Sequence, residues 1–296
     1  MIQKLMSLEF VTNPILLREF RSRMRTPKTV VLICLYLAIL GGLTMAFIFV
    51  NNISSVVRPG ENKYIFLAVA IIQLILLAFV APGLTAGAIS GERERQTLNI
   101  LLTTHLSPFK ILLSKLISSM AFIWLVLFST LPLYAIVLLH GGVAPIKLLA
   151  MFAFYLVVII SFGMIGLFCS TWFKRTGIAV VVSYMVMLFL LGGTAVLGEM
   201  INMFMNALTG VYAQRPSLMY IMALNPVYNV WQIFEPDGYM FGASSNPLIM
   251  PPWLYFSLVY LSSSTLLMWL SVRLLTPVKR RRSEQQTTEQ QQEVSP

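Results

Sequence analysis

The sequence predicts an all-α polytopic membrane protein with six transmembrane helices, and three observations carry that prediction. Of its 296 residues 57% are hydrophobic and only 11% charged, with a mean hydropathy of +0.80, which leaves too little polar surface for a soluble domain. Six apolar runs, 30–50, 64–90, 111–139, 148–170, 178–197 and 253–275, each approach or exceed the ~20 residues that a bilayer-crossing helix needs. The basic residues also sort by side. If both termini are cytoplasmic, only Arg58, Lys63, Lys147 and Arg215 of the 21 Lys and Arg fall outside, as the positive-inside rule requires.

The chain thus divides into a cytoplasmic N-terminus (1–29), a transmembrane domain (30–275) and a basic then polar cytoplasmic tail (276–296). The net charge of +10 flanks the apolar runs and does not form a basic patch interleaved with aromatics, so no nucleic-acid partner is expected. The first residues lack a cleavable signal pattern, and insertion is expected to use the spans themselves.

Before the first span stands NPILLREFRSRMRTPK. Asn13 is a plausible N-cap with Pro14 at the first helical position, and Pro27 ends the segment. At 100° per residue Leu16, Leu17, Phe20 and Met24 share one face, with Arg18, Arg21 and Arg25 beside them. Such a helix lies in the headgroup plane, arginines toward anionic membrane lipid; the alternative is a solvated leader.

Between spans two and three the sequence reads PGLTAGAISGERERQTLNILLTTHLSPFKILLSK. Gly83, Gly87 and Gly91 recur every four residues, which either gives the end of span two a flat face for another helix or reflects ordinary tolerance of glycine in membrane helices. Alternating charges follow at Glu92, Arg93, Glu94 and Arg95. Leu98, Leu101 and Leu102, spaced i, i+3, i+4, then form an apolar ridge on a polar element. Ser107 and Pro108 read as the N-cap and first residue of span three. The ridge suits insertion into a groove on a soluble partner, or a loop that covers the end of the bundle.

This stretch resembles the most recognisable segment of the ABC-2-type transporter permeases, carried here by Gly91, Glu92, Arg93, Glu94, Thr97, Leu98, Leu101, Leu102, Ser107 and Lys115. It departs from the common pattern at Gln96 and Ser114, where the family frequently has Gly, and at His105, where it has Pro. NPILLREFRSRMR is similar to the family's interfacial elbow helix, and six spans with a long outer loop before the last match its layout. The resemblance implies the permease subunit of an ATP-binding cassette transporter, an exporter across the cytoplasmic membrane. It further implies a second permease subunit, and a soluble ATP-binding subunit that carries ATP and Mg. Glu92, Arg93, Glu94, Thr97, Leu98, Leu101 and Leu102 would be its ATPase-coupling residues, within a coupling loop at 91–110. The competing class is a polytopic membrane enzyme or assembly factor that docks a cytoplasmic protein without transport.

Direct inspection adds that no G-x-x-x-x-G-K-[ST] phosphate loop occurs, so neither a cofactor nor catalysis is expected of this chain. No metal site is expected either, since His105 and His140 lack partners at ligand spacing. No Asp, Glu, Lys or Arg falls in the middle of a span, where ion-driven carriers need one. Gln73 and Ser161 read as interhelical hydrogen-bonding residues, and Cys34 and Cys169 as small buried hydrophobes. The outer loop 198–252 is too apolar to be free and is broken by prolines. It reads as short or re-entrant helices before span six, with Tyr228, Trp231, Tyr239 and Trp253 as a possible interfacial belt. After Thr276 a Lys/Arg cluster gives way to a Gln/Glu/Thr tail with few apolar residues, expected to be disordered.

The elbow reading gives a first expected outcome. Replacing Arg18, Arg21 and Arg25 by Glu lowers the yield of inserted, assembled protein, checked by membrane fractionation; normal yields contradict the reading.

Overall fold

Proline opens most of the helices. The computed structural model describes residues 27–53, 62–98, 107–139, 143–209, 216–234 and 250–275, so the elbow residues Leu16, Leu17, Arg18, Phe20, Arg21 and Arg25 and the tail lie outside it. Pro27, Pro108, Pro145, Pro216, Pro226 and Pro252 each stand first in a helix, where the missing N–H is one that has no intrahelical partner anyway. The elements are α1 (Pro27–Ile53), α2 (Asn62–Thr85), α3 (Ser90–Glu94), α4 (Pro108–Ser129), α5 (Leu131–Leu139), α6 (Pro145–Trp172), α7 (Thr176–Leu188), a π-helical turn (Phe189–Gly193), α8 (Thr194–Thr209), α9 (Pro216–Ala223), α10 (Pro226–Phe234) and α11 (Pro252–Leu275). No strand occurs among the described residues.

Among the described residues five helical stretches are long and apolar enough to cross a bilayer: Phe66–Glu94, Pro108–Ile136, Pro145–Trp172, Thr176–Leu208 and Pro252–Leu275. They correspond to predicted spans two to six. α1 spans 27 residues and carries a shorter apolar run, Ile33–Phe49, where the first span is predicted.

Three spans differ from the sequence reading, each for a local reason. Span two loses regular α geometry after Thr85, past the internal Pro82, and resumes as α3. Span three breaks at Thr130, because Pro132 near the start of α5 has no N–H to continue the ladder. Span five runs through the π turn to Thr209 and not to 197, so the first part of the predicted outer loop is helix. Glu199 and Asn202 end the apolar run in sequence, but nothing there interrupts backbone hydrogen bonding.

α6 is the centre of the bundle and packs against α2, α4, α7, α10 and α11. Its Met151, Tyr155, Val158, Ile159, Phe162 and Leu167 are buried. The Tyr155 hydroxyl donates to the Ala70 carbonyl of α2 at 2.6 Å. Toward α11, Phe154 meets Phe256 with centroids 4.9 Å apart, and Phe256 stacks on Tyr260 at 4.0 Å. Lipid tails solvate such side chains as well as a protein core does, so helix association here depends on close packing and interhelical hydrogen bonds. Gln73 supplies one of the latter, its Nε2 donating to Thr130 Oγ1 at 2.9 Å; Ser161 does not, its hydroxyl bonding within α6 to the Val157 carbonyl. Cys169 is buried as expected, whereas Cys34 is exposed on α1.

α6 and α2 approach each other backbone to backbone. A Cβ built on Gly166 would stand 2.2 Å from Thr85 Oγ1, 2.9 Å from Pro82 Cα and 3.1 Å from the Pro82 carbonyl oxygen, so the backbones themselves limit the contact. Gly166→Ala is expected to destabilise by ~1–3 kcal/mol, as overpacking does, and to lower the thermal midpoint in detergent. Gly177→Ala and Gly192→Ala, with open space around both Cβ positions, leave it near the parent value.

Candidate functional site

The charged segment after span two is built around a repaired helix break. Ala86 and Gly91 still bond four residues back, to the carbonyls of Pro82 and Gly87, but Ala88 bonds three back to Thr85. The N–H groups of Ile89 and Ser90 turn instead to Ser170 Oγ on α6, at 2.8 and 2.9 Å. The Ser90 hydroxyl lies 3.2 Å from the same oxygen. One serine therefore holds the restarted helix α3 against the end of α6.

α3 ends in a Schellman motif. Thr97 N–H donates to the Glu92 carbonyl and Gln96 N–H to the Arg93 carbonyl, the paired bonds that define this stop. The motif needs a left-handed residue at its turn, and Gln96 takes it with φ 58°. This is the position where the resembling family frequently has Gly, the residue with no Cβ penalty in that conformation.

Each charge of the Glu-Arg-Glu run is used inside the chain. The Arg93 guanidinium donates to the carbonyls of Thr171 and Phe173, both at 3.3 Å, satisfying the exposed C-terminal end of α6. Glu94 does the converse for α7: its carboxylate accepts the Thr176 N–H and the Thr176 hydroxyl, each at 2.8 Å. Arg175, the N-cap residue of α7, gives no side-chain cap, so a carboxylate from another element serves. A cation at one helix C-terminus and an anion at the next N-terminus also match both helix dipoles. Glu92 pairs with Lys115 of α4, Nζ to Oε1 at 3.3 Å, and accepts the Thr97 hydroxyl on its carboxylate. Segment 90–97 thereby touches α4, α6 and α7 through three adjacent side chains.

The glycines face one helix. A Cβ on Gly83 would meet the Tyr184 hydroxyl at 2.5 Å, and those on Gly87 and Gly91 would meet Thr176 at 3.4 and 3.9 Å. Phe79 stacks on Tyr184 one turn earlier, with centroids 4.6 Å apart. This surface is where α7 lies along α2 and α3.

Of the leucine ridge, Leu98 is buried in the core cluster; Leu101 and Leu102 lie outside the described residues. Beyond them Ser107 caps α4 by accepting the Lys110 N–H at 3.4 Å, with Pro108 at the first position, as the sequence predicts. Sequence reasoning names Glu92, Arg93 and Glu94 but misses their partners. Lys115 carries a usable signal, a cation one turn inside an apolar run that requires a counter-charge; Ser170 and Thr176 carry none.

The opposite end of the bundle is closed by α9 and α10. Asn225, between them, donates through Nδ2 to the Leu191 carbonyl in the π turn at 2.6 Å and to Thr194 Oγ1 at 2.9 Å. Its Oδ1 accepts the N–H groups of Val227 and Tyr228 and so caps α10. Asn229 Nδ2 donates to the Ala223 and Asn225 carbonyls, Tyr260 to the Leu224 carbonyl at 3.0 Å and Lys147 to the Phe234 carbonyl at 2.6 Å. The two short helices are thus docked into the bundle. Tyr228 is buried there and not part of an interfacial belt, while Trp253 is exposed.

A family model described as ABC-2 family transporter protein matches residues 13–277. The chain belongs to the ABC-2 transporter family. It is an integral, multi-pass permease of the ABC transporter class, and permeases of this family associate with an ATP-binding subunit. The match takes in every described element from α1 to α11. Comparison with curated proteins returns no match.

For this ABC-2 permease, Gln96→Gly is expected to stabilise segment 90–98 by ~1 kcal/mol through relief of the left-handed conformation, seen as slower hydrogen exchange at the Thr97 amide, which closes the turn on the Glu92 carbonyl. Gln96→Val, β-branched at the same φ, is expected to speed exchange.

Proposed function

We propose that this permease exports a substrate across the cytoplasmic membrane, powered by ATP and Mg bound to a separate soluble subunit that docks on the 91–110 segment. The family match over 13–277 carries the reading. The geometry supports it through the fixed placement of α3, whose charged side chains fasten it to the ends of α6 and α7 and to α4. A segment so fastened passes on a displacement where a free loop would absorb it.

The division of labour within the segment follows. Glu92, Arg93, Glu94 and Thr97 hold it to its own bundle, and Leu98 seats it in the core. Leu101 and Leu102 form the surface offered to the ATP-binding subunit, by the helix-in-groove mode. Nucleotide acts only through its different contacts with two states of the assembly. In this reading six spans place both termini in the cytoplasm, the elbow helix rests on lipid, and a second permease subunit completes the pathway. The end closed by α9 and α10 faces outward, with the two helices dipping into the outer leaflet.

Docking is tested by Leu101→Asp with Leu102→Asp. The double variant is expected to inset normally but to lose the ATP-binding subunit on purification from membranes, and undiminished co-purification contradicts the proposed docking surface.

A further inference from the structure

Glu94 and Arg93 are neighbours that hold two helices of unequal freedom. α6, on Arg93, is the packing centre of the bundle, bounded by α2, α4, α7, α10 and α11. α7 and its continuation to Leu208 form the least buried of the five crossing stretches. Val181, Met185 and Leu188 of α7 are exposed, and its face toward α2 and α3 meets glycines at Gly83, Gly87 and Gly91. α6 is held between several neighbours, whereas α7 packs on α6 and α2 through one side, with Ala179, Ser183 and Met187 buried, and leaves its opposite face exposed.

The end of α7 is held accordingly. Arg175, its N-cap, contributes no side-chain cap. Both Glu94 oxygens are spent on Thr176, one on the N–H and one on the hydroxyl. Two bonds from one carboxylate to one residue fix direction as well as distance, so a movement of α3 along the surface carries the first turn of α7 with it.

We propose that the Glu94–Thr176 joint is the route by which displacement of the 90–98 segment reaches span five, so that α7 is driven directly. Glu94 is a positioning residue, and α6, tied to the same segment through Arg93, is the fixed element against which α7 moves. The proposal rests on the ATP-driven reading above and deepens it.

The test uses the complete complex of permease and ATP-binding subunit in lipid nanodiscs. Nitroxides are placed at Met185→Cys on α7 and Leu266→Cys on α11, both exposed, in a Cys34→Ala background. Electron–electron distances are recorded with and without ATP and Mg. In the otherwise unchanged complex a nucleotide-dependent shift is expected. Glu94→Ala is expected to cut that shift by at least half, and Glu94→Gln, which keeps an acceptor for the Thr176 N–H, to restore part of it. Thr176→Pro provides a second route if Glu94→Ala folds poorly. Proline suits the first helical position and the extended Arg175 before it, yet removes both donors; loss of the shift is expected here too.

A shift that survives in both Glu94→Ala and Thr176→Pro overturns the proposal, even where their thermal midpoints fall, because a merely structural cap predicts that pattern. Absence of any shift in the unchanged complex also overturns it, while leaving docking intact. Failure of the ATP-binding subunit to co-purify with the unchanged permease is a different result and removes the ATP-driven reading together with the proposal.

Discussion

Inside a bilayer a backbone group released from its helix has no water to turn to, and every interruption of a span must be satisfied by the protein itself. The structure meets that constraint with one side chain per interruption. Ser170 accepts the N–H groups of Ile89 and Ser90 where span two loses its register. At the break in span three the Thr130 hydroxyl bonds the Leu127 carbonyl at 2.6 Å and accepts from Gln73. At the π turn of span five Asn225 takes the Leu191 carbonyl. In each case the repairing residue joins two parts of the chain, so the defect in one helix becomes the contact that positions its neighbour.

The two ends of the bundle use different chemistry for the same task. At the charged end, helix termini are satisfied by ions, Arg93 on α6 and Glu94 on α7, while Lys115 pairs with the Glu92 carboxylate. At the other end neutral amides and a phenol, Asn225, Asn229 and Tyr260, supply most of the bonds, with Lys147 as the one cation among those contacts. Charged pairs suit an interface with water, where their desolvation is partial, whereas amides satisfy buried carbonyls without carrying charge into an apolar region. Between the ends, α6 provides continuity. Gly166 lets span two approach, Gly163 makes room for Met120 of span three, and the aromatic residues of α6 engage α11.

Much of this was legible in the sequence, because apolar length and proline placement are local signals. Ser107 and Pro108 mark the start of span three, and Gly83, Gly87 and Gly91 are visible as a repeat of four, although the spacing alone reads equally as a packing face or as ordinary tolerance of glycine. The elements that escaped depend on partners distant in the chain. Nothing around Ser170 distinguishes it from the other small residues of SFGMIGLFCST, and only the fold brings it to Ile89. The extension of span five to Thr209 was hidden because Glu199 and Asn202 interrupt hydropathy without interrupting hydrogen bonding. Pro132 lies within a long apolar run, whose hydropathy is the same whether or not the helix breaks there. At the charged segment the sequence singles out Glu92, Arg93 and Glu94, but it could not show that all three would be consumed by contacts within the chain. Gln96 stood out as a departure from a frequent glycine; the left-handed turn explains why glycine is common there.

The π-helical turn at Phe189–Gly193 has a geometric result for span five. Thr194 N–H reaches back five residues to the Phe189 carbonyl, so this turn holds one residue more than an α turn. Were it to tighten to α geometry, the two halves of the span would swivel relative to each other by ~100°, the angle between successive residues of an α-helix. The side chains of α8 would then be re-aimed around its axis while those of α7 kept their bearing. Asn225, bonded to both Leu191 and Thr194, sits astride this point, and such a swivel would have to break its grip.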